Sequence, residues 1–343
     1  MSGVNPSGRL RRLCAGLVAV GLVVTGAVAC GSSGSDKDVV VMTHDAFALP
    51  DRLLADFTKQ TGYTAKIVRN GDAGQLSSVI SLTPGRPKGD VVYGIDNTFA
   101  SRAIDAGALD AYVPAAAAGG AARYAIDGSD QLTAIDRGDV CVDVDNAWFG
   151  AHHLAPPTSL ADLTQPQYKN LTVTMDPATS SPGMAFLLAT IVAYPGTGWQ
   201  DYWRQLKSNG VQVVSGWEDA YNREFSGGDG KGLRPIVISY ASSPAANPAT
   251  AALPNTCFAQ TEYAGVLRGA RNADGARKWI DFMLSPQVQA AVPGSMYVYP
   301  VQQGIAVPAG WPPEPAAPAT MPSAQIDKNR ESWQQQWRSV MGR

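Results

Sequence analysis

The chain has 343 residues, 45 % of them hydrophobic and 16 % charged, with a formal net charge of −2. That length and apolar content provide for two cores. A slightly acidic chain without a cluster of Lys or Arg excludes nucleic acid as the partner.

The N-terminus has a basic start (Arg9, Arg11, Arg12), an uncharged run over 13–29, and the small residues Ala27-Val28-Ala29 directly before Cys30. This is the layout of an export signal. Ala27-Val28-Ala29-Cys30 resembles the bacterial lipoprotein box. It implies removal of 1–29 and a lipid on Cys30 that holds the chain at the outer face of the cytoplasmic membrane. An uncut membrane span is the other reading, since the run is about long enough to cross. Residues 30–38, rich in Gly and Ser, read as a flexible tether. Cleavage removes three arginines and takes the net charge from −2 to −5. It also removes Cys14, and Cys30 takes the lipid. Cys141 and Cys257 remain, as one disulfide or as two buried thiols.

Beyond the tether, residues 39–42 read as a strand and 50–61 as a helix with Leu53, Leu54 and Phe57 on one face. A strand at 65–68 and a helix through Leu76, Val79, Ile80 and Leu82 follow, then a strand at 90–93 and a helix around 99–106. This alternation predicts an α/β domain with a largely parallel sheet, whose ligands sit at the carboxyl ends of the strands. A second block behaves alike: a strand at 140–144, a short helix at 157–163, and a strand at 171–175 running into 176–183. A long helix over 184–194 precedes one striped by Trp199, Tyr202, Trp203 and Leu206, with strands at 211–214 and 235–239. The pattern resumes at 258–263 and in a helix through Trp279, Ile280, Phe282, Met283 and Leu284. A Pro/Ala-rich run over 308–322 leads to a C-terminal helix over 327–341.

The order of these elements resembles the periplasmic-binding-protein fold, two α/β lobes joined by strands that cross a hinge. On that pattern 39–140 and 259–343 form the first lobe and 141–258 the second. Six segments narrow the resemblance: Thr43-His44-Asp45-Ala46-Phe47, residues 90–97, residues 176–183, Gly216-Trp217-Glu218-Asp219-Ala220-Tyr221, residues 239–244 and residues 296–301. Together they make the chain similar to the thiamine-binding proteins of bacterial thiamine ABC importers, from Val39 onward. The resemblance implies a monomeric capture protein without a cofactor, which takes thiamine or a thiamine phosphate between its lobes and passes it to a permease and its ATPase. It implies ligand contacts from Asp72 with Ala73, Ser180 with Ser181, Trp217, Tyr240 with Ser242 and Ser243, and Tyr297. Three positions depart from the family: Ala73 replaces a Gly, His44 a common Tyr, and Tyr297 a common Trp. They bear on the identity of the ligand.

Thiamine presents two aromatic rings, a permanent thiazolium charge and a hydroxyethyl tail, and so asks for aromatic faces, carboxylates and small donors. Trp217 and Tyr221 lie four apart on one helical face, suited to a cation; as core residues they would simply cover the lobe. Asp72 stands between a strand and a helix, where it serves equally as a ligand carboxylate or as a helix N-cap. Ser180-Ser181-Pro182-Gly183 and Ser242-Ser243-Pro244 look like helix starts, whose amides can hold an anion or only cap themselves. His44 ends the first strand. His152 and His153 lack partners at metal-ligand spacing and read as surface, so no metal is expected.

Two other functions compete. An enzyme like thiaminase I, with Cys141 as nucleophile, would share the two-lobe fold, and a disulfide to Cys257 would disable it. A binding protein for another small cation such as a polyamine would use the same Trp, Tyr and Asp. Ferric iron would want paired tyrosines, and no Tyr-Tyr occurs. No catalytic triad signature, phosphate loop or dinucleotide fingerprint is present.

Overall fold

The computed structural model describes residues 37–126 and 128–343. The signal, Cys30 with its lipid, and most of the tether lie outside the described residues. Asp38, the last tether residue, already belongs to the first strand. Among the described residues, no helix is long and apolar enough to cross a membrane.

The chain opens with β1 (Asp38–Thr43), α1 (Asp51–Thr61), β2 (Thr64–Arg69), α2 (Ala73–Ser81), β3 (Val91–Asp96), α3 (Ala100–Asp105) and the short β4 (Leu109–Asp110). β5 (Thr133–Arg137) and β6 (Val140–Asp145) follow, then α4 (Asn146–Ala151), β7 (Thr172–Met175), α5 (Ser181–Ala193), α6 (Gly198–Ser208), β8 (Gln212–Val214), β9 (Ile236–Tyr240) and β10 (Thr250–Phe258). The last part contains β11 (Thr261–Leu267), α7 (Ala273–Met283), α8 (Pro286–Met296), β12 (Tyr299–Pro300) and α9 (Ser323–Met341). One sheet runs β12-β5-β11-β3-β1-β2, with β4 also on β11, and the other runs β10-β6-β9-β7-β8. The chain changes sheet between Arg137 and Val140, and again between Phe258 and Thr261.

The sheets are mixed, which corrects the expected largely parallel arrangement. β1 pairs parallel with β2 and β3, where helices make the crossovers. β11 pairs antiparallel with both β3 and β5. The cause is the route of the chain: β5 leaves for the second sheet and β11 returns from it, each through a two-residue link too short for a crossover helix. In the second sheet β6 is antiparallel to β9 and β10, while β7 is parallel to β8 and β9.

Burial explains the composition of each element. All six residues of β3 are buried, as suits an apolar strand covered on both faces. β2 is an edge strand, with Lys66 and Arg69 exposed. α5 is apolar all round and sits inside the second lobe, with every residue from Ser181 to Thr190 buried. α6 shows one stripe, Trp199, Tyr202, Trp203 and Leu206. α9 buries Ile326, Arg330, Gln334, Trp337 and Met341, spaced three or four apart. This helix, expected with the first lobe, touches both. Arg330 donates to the Thr98 carbonyl and the Ser101 hydroxyl, while Trp337 meets Trp203 edge-on at 5.5 Å. Cys141 and Cys257 are joined by a disulfide.

Candidate functional site

A cleft of about 340 Å³ opens where the carboxyl ends of β1 and β3 face the second sheet. Its walls include His44, Trp217, Glu218, Tyr221, Asn222, Asp229, Tyr240, Ser243, Glu262, Met296 and Tyr297. A smaller recess of about 150 Å³ adjoins it, reaching Asp72, Gln75, Ser215 and Gly216.

The aromatic wall comes from one segment. Residues 219–224 wind as a π-helix rather than the expected α-helix, a wide turn that often marks functional sites. Trp217 stacks on Tyr221 with centroids 5.0 Å apart and planes 14° apart, and is tilted against Tyr240 at 5.8 Å. The indole Nε1–H donates to Ser239 Oγ at 2.9 Å. Ser239 in turn shares a 2.7 Å hydrogen bond with Ser243. Trp217 therefore meets the cleft as a carbon surface, its polar atom already paired.

Asp72 serves both of the roles left open above. It is the N-cap of α2, accepting from the Ala73 N–H at 2.6 Å within a capping box closed by Gln75. The same carboxylate crosses to the second lobe, accepting the Trp217 N–H at 2.9 Å and the Ser181 N–H at 3.4 Å. The Gln75 N–H reaches the Thr179 carbonyl at 3.2 Å. This close approach requires Gly74, where a Cβ would lie 2.7 Å from that carbonyl oxygen. Burial raises the Asp72 pKa, opposed by the hydrogen bonds from Trp217, Ser180 and Ala73 and by the charge of His44.

His44 and Glu262 form the floor. His44 Nε2 lies 3.4 Å from Glu262 Oε2, with the two side chains only 12 % and 8 % exposed. The imidazole lies over Gly94, where a Cβ would fall 1.9 Å from its ring. Burial works to lower the His44 pKa, yet Glu262, Asp72 and Asp45 together hold it raised. Glu262 is lowered: burial pushes it up, and His44, Tyr93 and Asp136 outweigh that. Tyr93 OH donates to Glu262 at 3.2 Å and to Asp136. Asp136 is raised well above its usual range, first by burial and then by the Glu262 charge. The cluster thus holds its pKa values apart: Asp136 raised behind, Glu262 lowered and His44 raised in front.

Of the expected site residues, His44, Asp72, Trp217, Tyr221, Tyr240, Ser243 and Tyr297 line the cleft or its recess. Ala73, Ser180, Ser181 and Ser242 do not. Ser180 caps α5, accepting from the Gly183 N–H at 3.4 Å, and Ser181 Oγ accepts from Gln260 at 3.0 Å. The start of α5 is already occupied by the Asp72 carboxylate. Ser242-Ser243-Pro244 begins only a three-residue 3₁₀ turn, Ser243–Ala245, not a helix. Ser242 donates to the Tyr297 carbonyl. Tyr297 ends α8 in the left-handed region and stacks on Trp311 at 6.1 Å. His152 and His153 are exposed. Sequence reasoning missed Glu218, Asn222, Asp229 and Glu262. The signal for Glu262 was present, as a lone acid within the otherwise uncharged strand Thr261–Leu267.

Comparison with known proteins agrees with this geometry. A model described as bacterial extracellular solute-binding protein matches residues 86–326. The thiamine-binding periplasmic protein of Salmonella typhimurium is 27 % identical over 334 residues, covering 92 % of this chain and 97 % of that protein. Its counterpart from Escherichia coli is 27 % identical over 324 residues, with 89 % and 94 % covered. A solved periplasmic thiamin binding protein aligns with a TM-score of 0.78 at 26 % identity, covering 89 % of this chain and 96 % of its own.

Proposed function

From the premise that the chain belongs to the bacterial extracellular solute-binding protein family, we propose that it captures thiamine between its lobes and delivers it to an ABC permease in the membrane. The observation that carries this reading is the stacked Trp217–Tyr221 pair facing Glu262 across one cleft. An aromatic face and a buried carboxylate suit a flat ring that bears a permanent charge. Cation–π attraction to a desolvated Trp contributes about 2 kcal/mol. The names of the relatives support the same ligand. The expected lipid on Cys30 and the outer-face location belong to this proposal, as do a monomeric state and a partner permease with its ATPase.

Unphosphorylated thiamine is the preferred form. The Ser181 amide at the start of α5 is turned to Asp72, and Glu218, Asp229 and Glu262 line the cleft. An added phosphate would meet carboxylates. The disulfide supports capture over catalysis, because it consumes Cys141, the nucleophile of the enzyme alternative.

Calorimetric titration with thiamine, its monophosphate and diphosphate, and spermidine tests the proposal. Submicromolar thiamine binding, beyond about −8 kcal/mol, with weaker phosphates, is the expected result. Spermidine binding without thiamine binding would reassign the ligand to the polyamines.

A further inference from the structure

We propose that Glu262 is the counter-charge for the permanent cation of the ligand, and that His44 balances Glu262 in the empty cleft and gives up its proton when that cation arrives. The inference rests on the thiamine reading above and adds an exchange of one charge for another.

The geometry carries it. Both side chains line the main cleft and the recess beside it, so whatever fills either space meets the pair. The imidazole cannot swing freely. Its ring sits in the space left by Gly94 and tilts against Tyr93 at 5.7 Å. Nε2 faces Glu262 at 3.4 Å and is a buried atom with no other hydrogen-bond partner. The groups that face it are acidic on every side: Glu262 from β11, Asp72 from the start of α2, and Asp45 from its own segment. Tyr93 on β3 and Tyr240 on β9 are the other titratable neighbours, and both phenols are held protonated by burial. Behind Tyr93, Asp136 on β5 is pushed well above its usual range, by burial first and then by the Glu262 charge. Glu262 is therefore the acid that meets His44 at the cleft surface, within reach of a ligand cation.

A thiazolium beside Glu262 cannot share that carboxylate with an imidazolium at low cost. Two like charges a few ångströms apart in a site from which water has been excluded repel strongly. The thiazolium has no proton to lose, whereas His44 has one. The balance is simple: the ligand cation enters, and the Nε2–H or Nδ1–H proton leaves to solvent. The net charge of the site is unchanged.

The linkage sign follows. Binding that releases a proton strengthens as pH rises, by up to about tenfold per pH unit. The rise continues only while His44 of the empty protein is protonated, and the profile flattens above its raised pKa. The test is calorimetric titration of the purified protein with thiamine from about pH 5 to about pH 8, the span in which histidines titrate. At one mildly acidic pH it is run in two buffers of different ionisation enthalpy, which reads the protons released. Wild type is expected to release close to one proton and to show the sloping profile. His44→Gln is expected to bind with a flat profile and no release. Should that variant fold poorly, imidazole nitrogen NMR of the wild type replaces it: a charged His44 ring without thiamine and a neutral one with it support the exchange. Thiamine binding with no proton release and no slope, or a ring that keeps one charge state throughout, overturns it. Absence of thiamine binding at every pH overturns the thiamine reading itself, and the charge exchange with it.

Discussion

Asp72 offers the sharpest test of how the lobes close. Asp72→Asn keeps a side-chain oxygen for the Ala73 N–H, and Asn is as good an N-cap as Asp, so α2 should hold. What it loses is the second carboxylate oxygen, which accepts from Trp217 at 2.9 Å across the cleft, and the negative charge at the start of α5. A charge-assisted hydrogen bond of this kind contributes about 1.5–3 kcal/mol. The helix-dipole contribution is about 0.3–1 kcal/mol. The Ser181 contact, at 3.4 Å, adds little. A closed state weakened by about 2 kcal/mol lowers affinity by up to roughly 30-fold when only that state holds the ligand, the full factor applying where the free protein is mostly open. The melting temperature should move little. Calorimetry with thiamine reads the affinity, and small-angle scattering of the free protein reads the open fraction, which should rise. An affinity equal to wild type together with an unchanged open fraction would refute the role of Asp72 as a cross-lobe latch.

Trp217→Ala removes the cation–π face and should weaken thiamine binding about 5- to 30-fold, from roughly 1–2 kcal/mol; an unchanged circular dichroism spectrum would show that the fold survives. Asp96, fully buried, is raised to about 8 by burial, in spite of its hydrogen bonds from Thr98. The native protein keeps a proton there that the unfolded chain loses above about pH 4. This contribution to stability is complete below that value and is lost as pH rises to about 8. Calorimetric melts should therefore fall between pH 5 and pH 8, by up to about 1.4 kcal/mol per unit from this group, and Asp96→Asn should flatten the trend. Replacing Cys141 and Cys257 together by Ser should cost about 2–4 kcal/mol. Melts of the wild type with and without reductant should show the same difference.

The alternation of strands and helices was legible because period and burial agree: 39–42 and 90–93 are apolar runs with helices between them. Strand direction was not, since β11 looks from its residues like any other buried strand, and only its arrival from the second lobe makes it antiparallel. The Trp217–Tyr221 pair could be read from spacing, although the segment winds more widely than an α-helix. Asp72 was legible in type but not in reach. A cap signal cannot reveal that the outer oxygen meets another lobe, because that contact spans 145 residues of sequence. The Ser turns misled for a related reason. A helix start advertises free amides, and nothing local to 180–183 shows that the Ser180 hydroxyl caps Gly183 and that Asp72 approaches Ser181 from another lobe. Glu262 was overlooked because a single acid in a strand gains meaning only from His44, Tyr93 and Asp136, which reach it from the loop after β1, from β3 and from β5.

The disulfide changes what kind of joint the molecule has. It ties β6 to β10 beside the two places where the chain passes between sheets, and there the Gly138 N–H also reaches the Gln260 carbonyl at 3.3 Å. Two independent tethers could slide past one another and let the lobes drift out of register. Stapled together, they behave as a flexure, a single leaf that bends and twists without shearing. In the proposed capture, each closing stroke would then return along the same arc, bringing the Asp72 carboxylate back to the Trp217 amide.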